Sequence, residues 1–173
     1  MALGSGGDSG IMKQGNQRSM RYSAVEDRGR IYLHIFRELK KRYGEDDAVS
    51  VMNSASNAHG VEVGKSLQHL APNNIAGMVE EYFKGPDGGA TFNPEIEELS
   101  EDQLQVHVKT CPLKDGWLDY GCSDDEVCTL LKCATGFDKG VYETAGFDYD
   151  LEVWQPGREG CCRTRIRAKS KTS

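Results

Sequence analysis

The sequence has no long apolar run. No stretch approaches the roughly 18 consecutive apolar residues that span a bilayer, so we expect no membrane partner. The opening segment, MALGSGGDSGIMKQGNQRS, is rich in glycine, serine and polar side chains and lacks the apolar core of a secretory signal. We therefore predict a flexible leader over residues 1–20 and a cytoplasmic protein whose thiols stay reduced.

Positive charge is also scarce. The chain has 27 Asp and Glu residues against 21 Lys and Arg residues, which gives a net charge of -6. Binding to nucleic acid or to anionic lipid needs a positive field that neutralises phosphates, so neither is expected as a partner. The one basic run, RTRIRAKSK, is local. We interpret it as a solvated strand followed by a basic tail over residues 169–173.

The six cysteines do not form the two closely spaced pairs that are typical of a structural zinc site. The last two, Cys161 and Cys162, are adjacent, which points their side chains to opposite faces of a regular strand. We therefore predict no metal ligands and no cofactor.

The chain does contain enough sequence for one domain. Its 173 residues, 38% of them hydrophobic and 28% charged, are ordinary for a soluble globular protein with a sizeable core. We assign residues 21–168 to a single domain.

Apolar periodicity predicts helices in the N-terminal half. From Ala24 to Tyr43 apolar and small residues recur at four-then-three spacing. A second helix, from about Asp46 to Leu70, is expected to turn an apolar side that includes His59 towards the core. Gly60 and Gly64 lie one turn apart in it and lower its stability, so they indicate the close approach of another backbone or of a ligand.

The pattern then changes from helix to strand. A third helical stretch from Pro72 to Phe83 precedes strands over residues 95–100 and 103–111, and Ser123 caps a long helix that ends near Ala145. A short helix after Pro112 and two further strands, over residues 149–155 and 161–168, complete the pattern. Because hairpins pair antiparallel, we predict a single α+β domain with an antiparallel four-stranded sheet packed against a layer of about five helices.

The cysteines fall into different environments in this scheme. Cys128 and Cys133 lie among apolar residues of the long helix and are predicted to fill core space. Cys122 lies just before the N-cap, where the helix dipole would lower the pKa of its thiol.

Strand alternation separates the remaining residues of interest. It places Cys162 on the apolar face and Cys161 with the arginines of the last strand. His107 and Cys111 share a face of the earlier strand about 13 Å apart, so no direct hydrogen bond between them is expected.

Two segments carry a resemblance to a known family: CPLKDGWLDYGCSDDEV, and FDKGVYETAGFDYDLEVWQPGREGCCRTRIR. Together with the helical N-terminal half, they resemble the L-2-amino-thiazoline-4-carboxylic acid hydrolase family over residues 20–168. More distantly, the glycine-cysteine strand is similar to that of 4-vinyl reductase-type small-molecule-binding domains.

The resemblance implies hydrolytic opening of a cyclic isothiourea, 2-aminothiazoline-4-carboxylate, to an N-carbamoyl amino acid. A cysteine thiolate could attack the C=N carbon, with an acid to protonate the departing sulfur, and a water activated by a carboxylate would serve as well. We expect Cys111 to act as nucleophile or substrate contact, with Cys162 in the same pocket wall. His59 or His107 is the candidate proton carrier, although a histidine satisfied inside the helical layer and an ordinary half-exposed strand histidine remain open for them.

Further candidates complete the expected site. Asp115 or Glu143 could orient water, and an arginine such as Arg158 or Arg165 could hold the substrate carboxylate with two hydrogen bonds. We expect Cys161 to be a further substrate contact. The alternative function is a non-catalytic small-molecule or metal-binding sensor or carrier of the 4-vinyl-reductase-like type. A homodimer is a further expectation.

Overall fold

The computed structural model describes residues 19–169. Within them the chain forms five α-helices and one four-stranded antiparallel sheet, so the predicted α+β fold class is confirmed. The helices are α1 (Met20–Tyr43), α2 (Glu45–Ser66), α3 (Ile75–Gly77), α4 (Pro112–Asp119) and α5 (Asp124–Ala145). The strands are β1 (Pro94–Leu99), β2 (Gln103–Val108), β3 (Asp148–Glu152) and β4 (Arg163–Arg167).

The predicted leader and basic tail lie almost entirely outside the described residues, and the bounds of the predicted domain stay a prediction. In the described part of the chain, no helix combines the length and the apolarity that crossing a membrane requires. The predicted third helix differs from the expected one: after α3 the chain winds into a π-helix, Met78–Lys84, which ends at Gly85.

Helices α2 and α5 pack backbone against backbone. A Cβ atom built on Gly60 would lie 2.1 Å from the carbonyl oxygen of Phe137, and one on Gly64 would lie 2.6 Å from that of Val141. Only a glycine leaves room for such an approach. The predicted close approach of another backbone is therefore confirmed, and the approaching backbone is α5.

The predicted apolar side of α2, with His59 on it, is wrong. The buried side consists mostly of small residues: Ala48, Met52, Ser56, Gly60 and Gly64. His59 is exposed beside this line. The reason is that close helix packing selects small side chains for the contact face, so a count of large apolar residues points to the wrong side.

Local capping signals, by contrast, set the bounds of α5 as predicted. The Ser123 hydroxyl accepts a hydrogen bond from the backbone N–H of Glu126, and Gly146 ends the helix in the left-handed conformation. The helix is therefore fixed at both ends by its own neighbouring residues.

The sheet has the strand order β1-β2-β4-β3. The face towards the helices is buried and carries Leu104, Val106, Thr164 and Ile166. The opposite face is charged, with arginines of the central strand β4 pairing with neighbouring strands. The two edge strands contribute acidic residues to the chain's surface: Glu95, Glu97 and Glu98 from β1, and Asp148, Asp150 and Glu152 from β3.

Candidate active site

A β-bulge brings two thiols to one side of the sheet. The backbone N–H of Val108 donates to the carbonyl of Cys162 (2.9 Å), whereas the Val108 carbonyl accepts from the N–H of Cys161 (2.8 Å). Two residues therefore oppose one, and Cys161 is the extra residue. The Sγ atoms of the two cysteines lie 3.5 Å apart.

The prediction that Cys161 and Cys162 point to opposite faces is therefore wrong, because the bulge interrupts the alternation of a regular strand. The solvent exposures of the two cysteines are also the reverse of those predicted. Cys161 is buried in the core rather than placed among the arginines, and Cys162 is only half-buried. The strand itself begins at Arg163, after the bulge.

Gly160 makes this bend possible. It has φ +75°, which a residue with a Cβ atom rarely adopts. A Cβ atom there would also lie 2.3 Å from Nε2 of His107. Both restrictions require glycine directly before the thiol pair.

A third thiol, that of Cys111, lies at the N-cap of α4. Pro112 follows at the first helical position, where its fixed φ and missing N–H favour the start of a helix. The backbone N–H groups of Leu113 and Lys114 face the sulfur, although they do not complete a regular capping bond. Cys111 is 8% exposed and packs in the same core cluster as Cys161.

The interaction between the Cys111 and Cys161 thiols, which lie in one core cluster, separates their pKa values. It is the largest cause of a lowered pKa at Cys111, and the N–H groups of Lys114 and Leu113 lower that pKa further against burial and the charge of Asp115. The pKa of Cys161 is raised by its hydrogen bonds to Cys111 and Cys162 and by burial. The arrangement therefore makes Cys111 the more acidic of the two thiols and leaves the proton on Cys161.

Lys114 connects α4 to the turn at Gly160 through a side-chain hydrogen bond. Its Nζ atom donates to the carbonyl oxygen of Gly160 (2.6 Å), lies 3.3 Å from Oδ1 of Asp115, and sits 5.5 Å from the centre of the Trp154 ring. The other carboxylate oxygen of Asp115 accepts a hydrogen bond from the hydroxyl of Tyr22 (3.1 Å). An ion pair between Lys114 and Asp115 thus lies in the first turn of α4, the helix that has Cys111 at its N-cap.

His107 is not the half-exposed strand residue that one interpretation expected, because it is only 2% exposed. Its Nε2 lies 3.2 Å from the Glu159 carbonyl oxygen, and its Nδ1 lies 3.3 Å from a guanidinium nitrogen of Arg163 and 3.4 Å from Nζ of Lys109. This pattern fits the tautomer with the proton on Nε2, which donates to the carbonyl. His107 lies opposite Arg163 of β4, and its ring is on the charged face of the sheet, which is the face opposite the thiols.

The other predicted site residues lie in different surroundings. His59 contacts Glu62 and the ring of Phe137, and Glu143 is exposed in a shallow groove between α5 and β3. Arg158 pairs with Glu152, and Arg165 donates to Gln105 (2.9 Å) on the charged face. Of the predicted residues, the structure brings together Cys111, Cys161, Cys162 and Asp115.

The remaining cysteines, Cys122, Cys128 and Cys133, lie outside this group of thiols. The pKa of Cys122 is raised to about 11 by burial and by Glu126, so the predicted lowering by the helix dipole is wrong. Cys133 is fully buried, as predicted for a core-filling residue, whereas Cys128 is half-buried and packs against the same core cluster. Among residues 19–169, no three His, Cys, Asp or Glu side chains are arranged to hold a metal ion.

The sequence analysis did not single out Asp138, a half-buried carboxylate on α5. Burial raises the pKa of its carboxyl to about 7. The available signal was its position one helical turn before Tyr142, on a side of α5 that faces the core. A charged residue on a buried helical face is rare and indicates either a partner or a function.

A buried thiol at the start of a helix, whose pKa is lowered by a neighbouring thiol, lies against a four-stranded sheet. Together these features define a small α+β domain with a buried thiol site. The chain matches the model of the L-2-amino-thiazoline-4-carboxylic acid hydrolase family over residues 26–161. This match covers most of the chain, so the chain belongs to that family and its function is of the hydrolase type. No curated protein matches the chain.

Proposed function

We propose that the protein hydrolyses a small cyclic isothiourea such as 2-aminothiazoline-4-carboxylate, with Cys111 as the nucleophile. The observation that carries this proposal is the group of three thiols at the start of α4 and the bulge: Cys111 and Cys161 share a core cluster, and the Sγ atoms of Cys161 and Cys162 lie 3.5 Å apart. Within this group the pKa of Cys111 is lowered while that of Cys161 is raised. One member can attack as a thiolate while the other keeps a proton to donate.

The chemistry balances with these two groups and water. The Cys111 thiolate adds to the carbon between sulfur and nitrogen, and the bond from that carbon to the ring sulfur breaks. The ring sulfur leaves with the proton of Cys161, and an open isothiourea remains attached to Cys111. Water then adds to the same carbon, Cys111 departs as a thiolate, and Cys161 regains a proton. The product is the N-carbamoyl amino acid with a free thiol.

Neighbouring charges supply the other roles. The carboxylate of Asp115 is the candidate base for the attacking water, since its field already reaches the Cys111 thiol. Lys114 replaces Arg158 and Arg165 as the candidate partner of the substrate carboxylate, because it lies at Gly160 beside the thiols. These assignments are part of the proposal.

Turnover of 2-aminothiazoline-4-carboxylate, followed by chromatography and mass spectrometry of the product, tests the proposal. Cys111→Ser should lower kcat by at least about a hundredfold, because a serine hydroxyl is not ionised near neutral pH. Cys128→Ser is the matched control, since that thiol is half-buried on α5 and outside the pair.

Alkylation by iodoacetamide gives a second readout. Cys111 should be labelled at lower pH than Cys128, and the substrate should protect it. Full turnover by Cys111→Ser would exclude the covalent route. Binding without turnover by the unmodified protein would instead favour the non-catalytic sensor or carrier.

A further inference from the structure

Two thiols of the β-bulge lie close enough to react with one another. The Sγ atoms of Cys161 and Cys162 are 3.5 Å apart, and both thiols are free. The sulfur atoms of a disulfide lie about 2.0 Å apart, so an approach of about 1.5 Å would join these two.

The segment that leads into the pair is held by buried side chains at three consecutive carbonyl groups. These hydrogen bonds run from Nε1 of Trp154 to Arg158 (3.1 Å), from Nε2 of His107 to Glu159 (3.2 Å) and from Nζ of Lys114 to Gly160 (2.6 Å). The backbone of the pair itself is bonded to Val108. The two thiols are therefore kept at short range, and groups held in this way react much faster than the same groups on separate molecules.

The thiols of the site differ in their access to solvent. Cys161 is 7% exposed, and Cys111 in the same core cluster is 8% exposed. Cys162 is half-buried and is the most exposed of the three. A reagent that arrives from solvent therefore meets Cys162 first, with Cys161 directly beside it.

We propose that Cys161 and Cys162 form a site of reversible oxidation by a hydroperoxide, which joins the two adjacent residues by a disulfide. The Cys162 sulfur attacks one oxygen of hydrogen peroxide, the O–O bond breaks, and the other oxygen leaves as water with the thiol proton. Cys162 is then a sulfenic acid. The Cys161 sulfur attacks the sulfenic sulfur, and the hydroxyl group leaves as water with the Cys161 proton. The thiols lose two electrons in total, and the peroxide gains them.

The resulting bond is readily reduced, because adjacent residues fit disulfide geometry poorly. Their Cα atoms lie about 3.8 Å apart across a trans peptide, whereas disulfides usually join Cα atoms about 4.4–6.8 Å apart. Strained disulfides are the labile ones. An excess of a small thiol therefore restores both cysteines by exchange and is itself oxidised to a disulfide.

Oxidation of this pair has a consequence for turnover. The disulfide removes the proton that the proposed reaction takes from Cys161, so this consequence rests on the proposed function. Oxidation should stop hydrolysis, and reduction should restore it. The oxidation itself requires neither substrate nor turnover.

Peptide mass spectrometry tests the site directly. The full chain is treated with an equimolar amount of hydrogen peroxide, blocked with N-ethylmaleimide in denaturant and digested with trypsin. Trypsin cleaves after lysine and arginine, so residues 159–163 (EGCCR) carry both thiols of the pair, and residues 110–114 (TCPLK) carry Cys111. The first peptide should lack maleimide and two hydrogen atoms, and the second should carry one maleimide. Dithiothreitol added before blocking should restore two maleimides to the first.

Two variants identify the thiol that is oxidised first. Cys161→Ser leaves a sulfenic acid at Cys162 without a partner, so dimedone should label Cys162 at least about tenfold more than in the unmodified protein. Cys128→Ser is the matched control, since that thiol is half-buried and outside the bulge, and it should oxidise like the unmodified protein. Dimedone on Cys111 in place of Cys162 would overturn the proposal.

The unmodified protein also gives outcomes that need no variant. A disulfide that links residues 110–114 to residues 159–163 would overturn the proposal, because Cys111 would then be the partner of Cys161. Two maleimides on residues 159–163 after peroxide treatment would overturn it as well.

Turnover of 2-aminothiazoline-4-carboxylate, measured before oxidation, after it and after dithiothreitol, separates this proposal from the catalytic one. If the disulfide forms, turnover stops and dithiothreitol restores it, both proposals stand. If the disulfide forms without affecting turnover, the oxidation site stands and the proton-donor role of Cys161 fails. If the disulfide forms in a protein that never turns over substrate, the oxidation site stands and the proposed function fails. If substrate is turned over but no disulfide forms, the oxidation site fails and the proposed function stands.

Discussion

Replacing Asp138 by asparagine should stabilise the folded protein as the pH approaches neutrality. Burial raises the pKa of this carboxyl from 3.8 to about 7 in the folded state. Between about pH 4 and pH 7 the folded protein therefore keeps a proton that the unfolded chain has released. Stability contributed by Asp138 is present at low pH and is lost as the pH rises through this window. Asparagine does not ionise, so the stability of the Asp138→Asn variant does not fall in this pH window for that reason.

The magnitude follows from the size of the pKa shift. A pKa raised from 3.8 to about 7 corresponds to a free-energy cost of about 4 kcal/mol at neutral pH. Asp138 is only half-buried, so solvent screening reduces this cost, and we expect about 1–2 kcal/mol. The phenols of Tyr82, Tyr142 and Tyr149 add no titration in the window, because their pKa values are all raised.

Urea unfolding followed by circular dichroism at about pH 4.5, 6 and 7.5 measures this effect. The stability difference between Asp138→Asn and the unmodified protein should be smallest at the lowest pH and grow in favour of the variant. Asp125→Asn controls for the loss of one negative charge on α5, and a change of only a few tenths of a kcal/mol is expected from it. A difference that does not vary with pH, or that grows in the opposite direction, would refute the reasoning.

Three other predictions concern the thiols and the glycines. Cys161→Ala should move the alkylation of Cys111 by iodoacetamide to higher pH, because the thiol that most lowers the pKa of Cys111 is removed. An unchanged pH profile would contradict this. Gly160→Ala should destabilise the fold by about 2–4 kcal/mol in thermal or urea unfolding, whereas Gly157→Ala, at a similar positive φ but with open space, should cost about 1 kcal/mol. Gly60→Ala should cost at least about 2 kcal/mol, since its methyl group meets a backbone carbonyl of α5, and a neutral effect would mean that the helices separate easily.

The elements that could be predicted are those whose signals are local. Ser123 and Gly146 define the ends of α5 by their own backbone chemistry, and the alternation in β2 gives its buried face directly. The misassigned side of α2 has a different cause. Gly60 and Gly64 carry no hydrophobic signal, and their burial depends on a helix that lies far away in the sequence.

In the candidate site, too, the features that depend on neighbouring residues could be predicted and those that depend on distant contacts could not. Cys111 before a proline was identifiable, because an N-cap is a property of neighbouring residues. The pairing of Cys161 with Cys111 was not, since it depends on one inserted residue opposite Val108, and alternation assumes that no residue is inserted.

The acidic side chains of the two edge strands have a consequence for how molecules of this protein meet. An exposed strand edge is a template on which another copy can add a strand, and this is a common route to aggregation. Edges β1 and β3 both carry rows of carboxylates, whereas the neutralising arginines belong to the central strand β4. Two copies that approached edge to edge would bring like charges together. The carboxylates on both edges therefore oppose growth of the sheet by addition of a strand from a second copy.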